Sequence, residues 1–400
     1  MAPRKASIGR LMLLIVLVFA LVFMPSHLRT SAGEADLLVY WSASRLLATG
    51  GNPFDQTQLQ TLQNLTRPGS VNPLQGWAAW NPPWLLLVLL PLGLLPFDWA
   101  VRVWGLCSVG LILAACAWTW RWVADPADRL GLVIVLVSAL AFGQTVSCLA
   151  VGQIGALLLF GLVLGLWCLQ TGHDHCAGIA LLLTTIKPHM TYFLLWLVLL
   201  WVIRRRRWKV AVGLLGSALA CMLVLWLIFP GWLSAYVRLL SGHTNVVFGI
   251  SAATIGGLAY ALWGTHVLRF AGVLLLPLTG VVLPLVDSLG WLTTMNIALL
   301  MSVPLAPYGF NYDQVVLLPS IVQMIAWMRG GELTRNWTWG IASGLLLMNA
   351  VLLRMLTLRF LYDHWLAWVP LVLAALYALA WKQRHLATGQ RALAVQEQGE

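Results

Sequence analysis

An acidic residue, Asp36, lies among apolar residues in the stretch EADLLVYWSASRLLATGG, residues 34–51. Ser31–Glu34 matches a capping box, which predicts that a helix begins here, and Gly50–Gly51 predicts its end. Helical spacing places Asp36 on one face with Val39, Tyr40, Ala43, Leu46 and Leu47. We therefore predict a helix that lies along the membrane surface, with Asp36 on its apolar side.

The two acids of this helix call for different explanations. Capping and the positive end of the helix dipole explain Glu34, and the dipole also favours Asp36. On the apolar side, however, a carboxylate loses hydration. Asp36 therefore needs a partner or a function, unless the dipole alone accounts for it.

Lys187 is a second polar residue within an apolar stretch. It is one of four lysines in the chain and directly precedes Pro188. An unpaired ammonium inside a membrane costs at least ~2.5 kcal/mol, so we expect an anionic group to meet it. The alternative is that Lys187 ends a helix and extends its amine to the membrane interface.

Further polar candidates lie at segment ends and in loops. Gln153 follows Gly152 at the start of an apolar segment, where it either contacts a ligand or packs between helices. The stretch PYGFNYDQVVLLP, Pro307–Pro319, brings Asn311 and Asp313 to a predicted helix start. Arg238 lies in a long loop, together with His243 and Asn245, and Arg354 and Arg359 are late basic residues.

Composition places these residues in a membrane protein. Of all residues, 60% are hydrophobic and 9% are charged, and the mean hydropathy is +0.84. Soluble domains carry roughly 25% charged residues. Apolar runs long enough to cross a bilayer occur near 10–24, 82–96, 98–123, 130–149, 153–170, 176–187, 189–203, 210–229, 267–286, 288–306, 313–328, 337–357 and 364–381. Several are short or share a boundary, so we predict an all-α polytopic protein with about 11–13 transmembrane helices.

The net charge of +11 does not indicate nucleic-acid binding. The basic residues concentrate at helix ends, chiefly in RRRRWK, Arg204–Lys209, which the positive-inside rule explains. The six cysteines lie in or beside apolar runs and form no CxxC pair, so we predict neither disulfides nor a zinc site. GHDHC, Gly172–Cys176, is interpreted as a polar turn because its residues are too crowded for one helix face.

Charge also predicts the topology. With a basic, uncleaved N-terminal anchor inside, the long stretches 25–81 and 231–266 lie outside and Arg204–Lys209 lies in the cytoplasm. If every candidate segment crossed the membrane, Arg204–Lys209 would lie outside. One candidate is therefore re-entrant or part of a longer kinked helix: either 82–96, which Pro91 and Pro96 interrupt, or the pair that meets at Lys187–Pro188. We predict one membrane domain, 1–385, and a polar cytoplasmic tail, 386–400.

The first loop resembles a known family. DLLVYWSASRLLATGGNPFD follows the pattern of the first external loop of glycosyltransferase family 87, through Asp36, Tyr40, Ala43, Leu47, Gly50, Pro53 and Asp55. NPPWLLLVLLPLGLLP, VGQIGALLL and AGIALLLTTIKPHMTYFLLWLVLLWVIRRRRW resemble later family motifs, in the same order. The resemblance covers most of residues 30–320.

The resemblance implies a GT-C-type bundle with an interfacial helix in its first external loop. Family members include α-1,2-mannosyltransferases that use polyprenyl-phosphate mannose. It implies an inverting hexosyltransferase that moves a sugar from a polyprenyl-phosphate carrier to a hydroxyl of a lipid or glycan acceptor. The enzyme would be a multi-pass protein of the inner membrane, with its active site on the periplasmic face.

The resemblance also implies site roles. The general-base position of the family falls on Asp36, and Tyr40 would line the same pocket. Lys187 and Gln153 would contact the donor phosphate or sugar, and His189, Asn311 and Asp313 are further substrate-binding candidates. The family often has tryptophan and adjacent histidines beside that late aspartate, and this chain does not, so Arg238 is a candidate for the leaving group or the acceptor. No cofactor is predicted, and the dependence on a divalent metal is left open.

Two other classes compete with this interpretation. A lipid or polysaccharide flippase also carries intramembrane charges such as Lys187, but it needs no interfacial helix that begins with acidic residues in its first loop. An O-antigen-type polymerase or ligase uses lipid-linked sugar as well, but typically has its large catalytic loop late in the chain. The most ordered loop predicted here is the first.

The topology is tested by single cysteines at Gln58 and Arg206 in a cysteine-free variant. An impermeant thiol reagent is expected to label position 58 from outside and position 206 only from the cytoplasmic side, since the first loop and the basic cluster lie on opposite faces. Labelling of both positions from one side would contradict the predicted topology.

Overall fold

The computed structural model describes residues 35–68, 78–242, 252–357 and 363–397. Within these ranges the chain is helical and contains no strand. The first predicted span, Glu34, His243, Asn245 and Arg359 lie outside the described residues.

The α-helices, in chain order, are α1 Ala35–Ala48, α2 Gln56–Thr66, α3 Trp84–Gly93, α4 Phe97–Val123, α5 Arg129–Ala141, α6 Gly143–Val151, α7 Gly155–Thr171, α8 Asp174–Leu182, α9 Pro188–Arg205, α10 Trp208–Ile228, α11 Trp232–Gly242, α12 Ile255–Trp263, α13 Ala271–Leu275, α14 Thr279–Val282, α15 Leu285–Ser302, α16 Leu318–Arg329, α17 Arg335–Thr357 and α18 Trp368–Glu397. Short 3-10 helices lie at Leu183–Ile186, Val267–Phe270, Leu276–Leu278, Asn311–Leu317 and Asp363–Leu366.

Four helical segments of the described chain are long and apolar enough to cross a membrane: α4, α10, α17 and Asp363–Ala387. The helices α5 and α6 form a fifth if they are one span, which is bent by 55°. Other apolar helices, such as α3 and α7, are shorter. The chain is therefore an all-helical membrane protein, and the sequence-based count of about 11–13 spans includes segments that are short helices here.

The helix predicted around Asp36 is present as α1, but its surroundings differ from the prediction. Side chains on all sides of it are buried, from Leu37 and Leu38 to Ser42 and Ser44. The Trp41 indole donates to the carbonyl of Leu95, 3.0 Å away. The helix therefore packs within protein instead of resting one face on lipid, because α2, α3 and α4 cover it.

The predicted interruption at Lys187–Pro188 separates two helical segments. α8 tightens into the 3-10 helix Leu183–Ile186, and Lys187 then adopts φ −137° and ψ 68°. Pro188 begins α9, a position where its fixed φ suits a helix and its missing N–H leaves no donor unpaired. The chain leaves α9 through Arg206, whose φ is 52°, and re-enters helix at α10.

Close contact between α8 and α10 holds this region together. A Cβ added at Gly178 would lie 2.1 Å from the carbonyl oxygen of Val210, and one added at Gly213 would lie 2.3 Å from that of His175. Small residues allow membrane helices to approach at backbone distance, which increases their van der Waals contact. Arg207 also pairs with the buried Asp174 at the start of α8.

Gly178→Ala is expected to destabilise the fold by about 1–3 kcal/mol, because the added methyl group meets backbone atoms that cannot move independently. Thermal unfolding in detergent measures the effect. The matched control is Gly216→Ala on α10, where an added Cβ meets nothing within 4 Å. Equal unfolding temperatures for the two variants would contradict the close packing of α8 on α10.

Candidate functional site

Four distant segments bring polar side chains together at one place. Asp36 comes from the first turn of α1, and Gln153 from the connection between α6 and α7. Lys187 precedes α9, and Asp313 lies in the 3-10 helix Asn311–Leu317. Hydrogen bonds link them in the order Asp313, Lys187, Gln153, Asp36. We call these four residues the polar cluster.

Gln153 occupies its position because α6 ends in a left-handed turn. Gly152 has φ 69° and ψ 35°, a conformation that glycine adopts without strain. Its carbonyl accepts a hydrogen bond from the indole of Trp104 at 2.9 Å. The turn stops α6 directly before Gln153, which is 4% exposed.

The orientation of the Gln153 amide follows from its neighbours. Its Oε1 accepts from Lys187 Nζ at 2.9 Å, from the Tyr40 hydroxyl at 3.2 Å and from the Ile154 backbone N–H at 3.2 Å. Three donors around one atom identify it as the oxygen. The amide nitrogen then donates to Asp36 Oδ2 at 2.6 Å.

Lys187 is buried, and its charge is paired within the protein. It is 5% exposed, and its Nζ lies 2.5 Å from Oδ1 of Asp313, which is 1% exposed. Asp313 Oδ2 accepts the backbone N–H of Phe310 at 3.0 Å. Lys187 therefore does not extend to the membrane interface, and the anion that meets it is Asp313.

Asp36 is the more accessible carboxylate of the polar cluster, because it keeps partial exposure while Asp313 is buried. Burial raises the pKa of Asp36 above its ordinary value. The hydrogen bond from Gln153 and the positive charge of Lys187 oppose that rise. Asp36 is thus a carboxylate that binds a proton more readily than one in water, in an orientation set by Gln153.

A second layer of hydrogen bonds surrounds the polar cluster. Ser147 on α6 donates to Asn311 Oδ1 at 2.5 Å, and Asn311 Nδ2 donates to Asp363 Oδ1 at 2.7 Å. Gln144, also on α6, donates to Gln314 Oε1 at 2.7 Å. This layer holds the 3-10 helix that carries Asp313 against α6.

Sequence reasoning did not select Asp363 or Tyr312. Asp363 directly precedes the last predicted span. An acidic residue at the border of a membrane span is the sequence feature that identifies it as a candidate. Tyr312 lies beside Asp313, and its ring centroid is 5.1 Å from Lys187 Nζ. The sequence feature that identifies Tyr312 is its position next to the candidate Asp313 in the stretch Pro307–Pro319.

The structure does not join every predicted candidate to the polar cluster. His189 stacks on Tyr308, with ring centroids 3.9 Å apart, and no hydrogen bond within the described chain links it to the cluster. Arg238 is exposed on α11, and Arg354 is exposed near the end of α17. Among the described residues, no three histidine, cysteine or acidic side chains converge as a metal site.

These features define a helical membrane protein with a buried, charged cluster at the ends of its helices. Residues 80–306, more than half of the chain, match the model of glycosyltransferase family 87. The chain belongs to this family and is a membrane glycosyltransferase, which favours the transferase interpretation over a flippase. Comparison with curated proteins gives no match.

The matched range contains only part of the polar cluster. It includes Gln153 and Lys187, whereas Asp36 and Asp313 lie outside it on either side. The hydrogen bonds described above connect these two acids to the matched region.

Proposed function

We propose that the enzyme transfers a mannosyl group from a polyprenyl-phosphate carrier to a hydroxyl of a lipid or glycan acceptor. Asp36 acts as the general base. The observation that supports this role is that Asp36 is partly exposed and oriented, while Gln153, Lys187 and Asp313 behind it are buried.

The surroundings of Asp36 suit proton transfer from an acceptor hydroxyl. A base is most effective when its pKa lies close to the working pH, and burial moves the pKa of Asp36 in that direction. The donor Gln153 and the charge of Lys187 favour the ionised form, which a base requires. In these surroundings, Asp36 accepts the proton of the acceptor hydroxyl as the new glycosidic bond forms.

The arrangement also supports inversion at the anomeric carbon. Retention by a double displacement needs a second carboxylate that is free to attack the sugar. Asp313 has one oxygen against Lys187 and the other on the Phe310 N–H, and Asp363 lies in the outer layer of hydrogen bonds, where it accepts from Asn311. A single displacement by the acceptor hydroxyl, with Asp36 as base, therefore agrees best with these contacts.

Lys187 is the proposed contact for the donor phosphate. Its ammonium has three N–H groups, of which two donate to Gln153 and Asp313. The third is proposed to donate to a phosphate oxygen, on which negative charge develops as the carrier leaves. Asp313 holds the ammonium in place but also offsets its charge.

The direction of the helices supports an active site on the periplasmic face of the inner membrane. Gln153 precedes α7, whose 17 residues extend about 25 Å to Thr171, near the Asp174–Arg207 pair. Likewise α9 begins beside Lys187 and ends at Arg205. The polar cluster and the basic residues Arg204–Lys209 thus lie at opposite helix ends, and the basic end is the cytoplasmic one by the positive-inside rule.

Asp36→Asn is expected to lower the rate of sugar transfer by about 10²–10⁴, because the amide keeps the shape but cannot accept the proton. Transfer from a synthetic polyprenyl-phosphate mannose by the purified enzyme measures this. In the wild type, the rate should fall as the pH drops through the pKa of Asp36, above the ordinary aspartate value.

The matched control is Asp55→Asn in the same loop. Asp55 caps α2 by accepting the backbone N–H of Gln58, and asparagine caps equally well. The control should keep wild-type activity. An Asp36→Asn enzyme with near-wild-type turnover would show that another group is the base.

The phosphate contact is tested by comparing the wild type with the double variant Lys187→Met/Asp313→Asn, which removes both charges of the buried pair together. Either single variant, Lys187→Met or Asp313→Asn, would leave the other residue as an unpaired buried charge, at a cost of about 3–5 kcal/mol. Asparagine still accepts the Phe310 N–H. Relative to the wild type, the double variant is expected to raise the donor KM about ten- to a hundredfold, which is the worth of a charge-assisted hydrogen bond to the phosphate. Equal donor KM values would assign Lys187 to positioning Gln153 alone.

A further inference from the structure

The bent pair α5 and α6 is interrupted at a single residue. α5 ends at Ala141, Phe142 adopts φ −65° and ψ 125°, and α6 begins at Gly143. The two axes differ by 55°. Phe142 is not a proline or a glycine, so no residue at the break itself compels the chain to turn.

Asn349, on the separate helix α17, bridges the two sides of this break. Its Oδ1 accepts the backbone N–H of Gly143 at 2.8 Å, and its Nδ2 donates to the carbonyl of Ala141 at 2.9 Å. A break leaves donors unpaired at the start of α6 and acceptors unpaired at the end of α5. One side chain therefore satisfies a backbone group on each side.

Both a close side-chain contact and a cavity adjoin the break. Leu352 packs against Gly143 so closely that an added Cβ there would lie 2.7 Å from it. A cavity of about 110 Å³ also adjoins the break and is lined by Ala141, Phe142 and Asn349 together with residues that are mostly apolar. Because the cavity leaves room beside Phe142, the two hydrogen bonds from Asn349 add a constraint on the angle that packing against Leu352 alone does not supply.

The direction of α6 decides where the polar cluster lies. Gln144 and Ser147 on this helix bond to Gln314 and Asn311 of the segment that carries Asp313. The helix then ends at Gly152, and Gln153 follows. A change in the angle at Phe142 would therefore displace Gln153 and the segment that carries Asp313.

We propose that Asn349 is a positioning residue for the transferase reaction: by bridging Ala141 and Gly143 it sets the angle of α6 and thereby places Gln153 against Asp36. It contacts no reacting group itself. This inference rests on the proposed function, because it assigns Asn349 to the reaction in which Asp36 is the base.

The test compares purified Asn349→Leu, Asn349→Asp and Ser343→Ala enzymes. Leucine keeps the size of asparagine but loses both hydrogen bonds, whereas aspartate still accepts from Gly143. Ser343 lies on α17 and lines the same cavity, and it serves as the control. Asn349→Leu is expected to lower kcat by up to about a hundredfold, since a displacement of about 1 Å has that effect on catalysis. The donor KM should stay near its wild-type value, Asn349→Asp should restore part of kcat, and Ser343→Ala should match the wild type.

A readout independent of activity is the thiol of Cys148, which lies on α6 and is 1% exposed. In Asn349→Leu, N-ethylmaleimide should modify Cys148 at least about tenfold faster than in the wild type, because a buried thiol reacts only when its segment opens. Cys116, buried in α4, should react at an unchanged rate. Peptide mass spectrometry separates the two sites.

Wild-type kcat in Asn349→Leu, or a loss of kcat without faster labelling of Cys148, would overturn the proposal. Equal acceleration at Cys148 and Cys116 would also overturn it, because it would indicate general unfolding. If the wild type shows no transfer at all, the proposed reaction fails, and the labelling of Cys148 alone decides whether Asn349 holds the break.

Discussion

The ion pair between Lys187 and Asp313 is the constraint on which the remaining site depends. Both side chains are buried, and a charge removed from water is tolerated only when it is paired and hydrogen-bonded. Lys187 also donates to Gln153, which leaves the Gln153 amide a single orientation toward Asp36. The position of the accessible carboxylate thus follows from satisfying a buried charge that it does not contact directly.

All four members of the polar cluster lie where a helix begins, ends or tightens. Gln153 follows the left-handed turn at Gly152, and Lys187 stands between a 3-10 helix and α9. Non-helical backbone at membrane depth is tolerated only where protein or a water-filled cavity surrounds it. A membrane enzyme that needs polar side chains therefore places them at helix breaks, and neighbouring helices supply the missing backbone partners, as Trp104 does for Gly152 and Asn349 does for Gly143.

The differences between prediction and structure share one cause. Asp36 was expected on the apolar face of a surface helix, yet α1 is buried on all sides. Periodicity distinguishes apolar from polar faces, but it does not distinguish a face against lipid from a face against another helix, because both are apolar. For the same reason, the apolar runs of the sequence include segments that form shorter helices, such as α3 and α7, in the described chain.

The sequence by itself determined the class of the protein, its helical nature and several of the helix ends. Gly50–Gly51 and Lys187–Pro188 stop or start helices through their own backbone preferences, which act over a few residues. The tertiary structure alone decided which polar residues meet. Lys187 and Asp313 are 126 positions apart, and Asn349 reaches a break 206 positions away. Such pairings depend on how whole helices pack, and no short-range pattern in the chain encodes that packing.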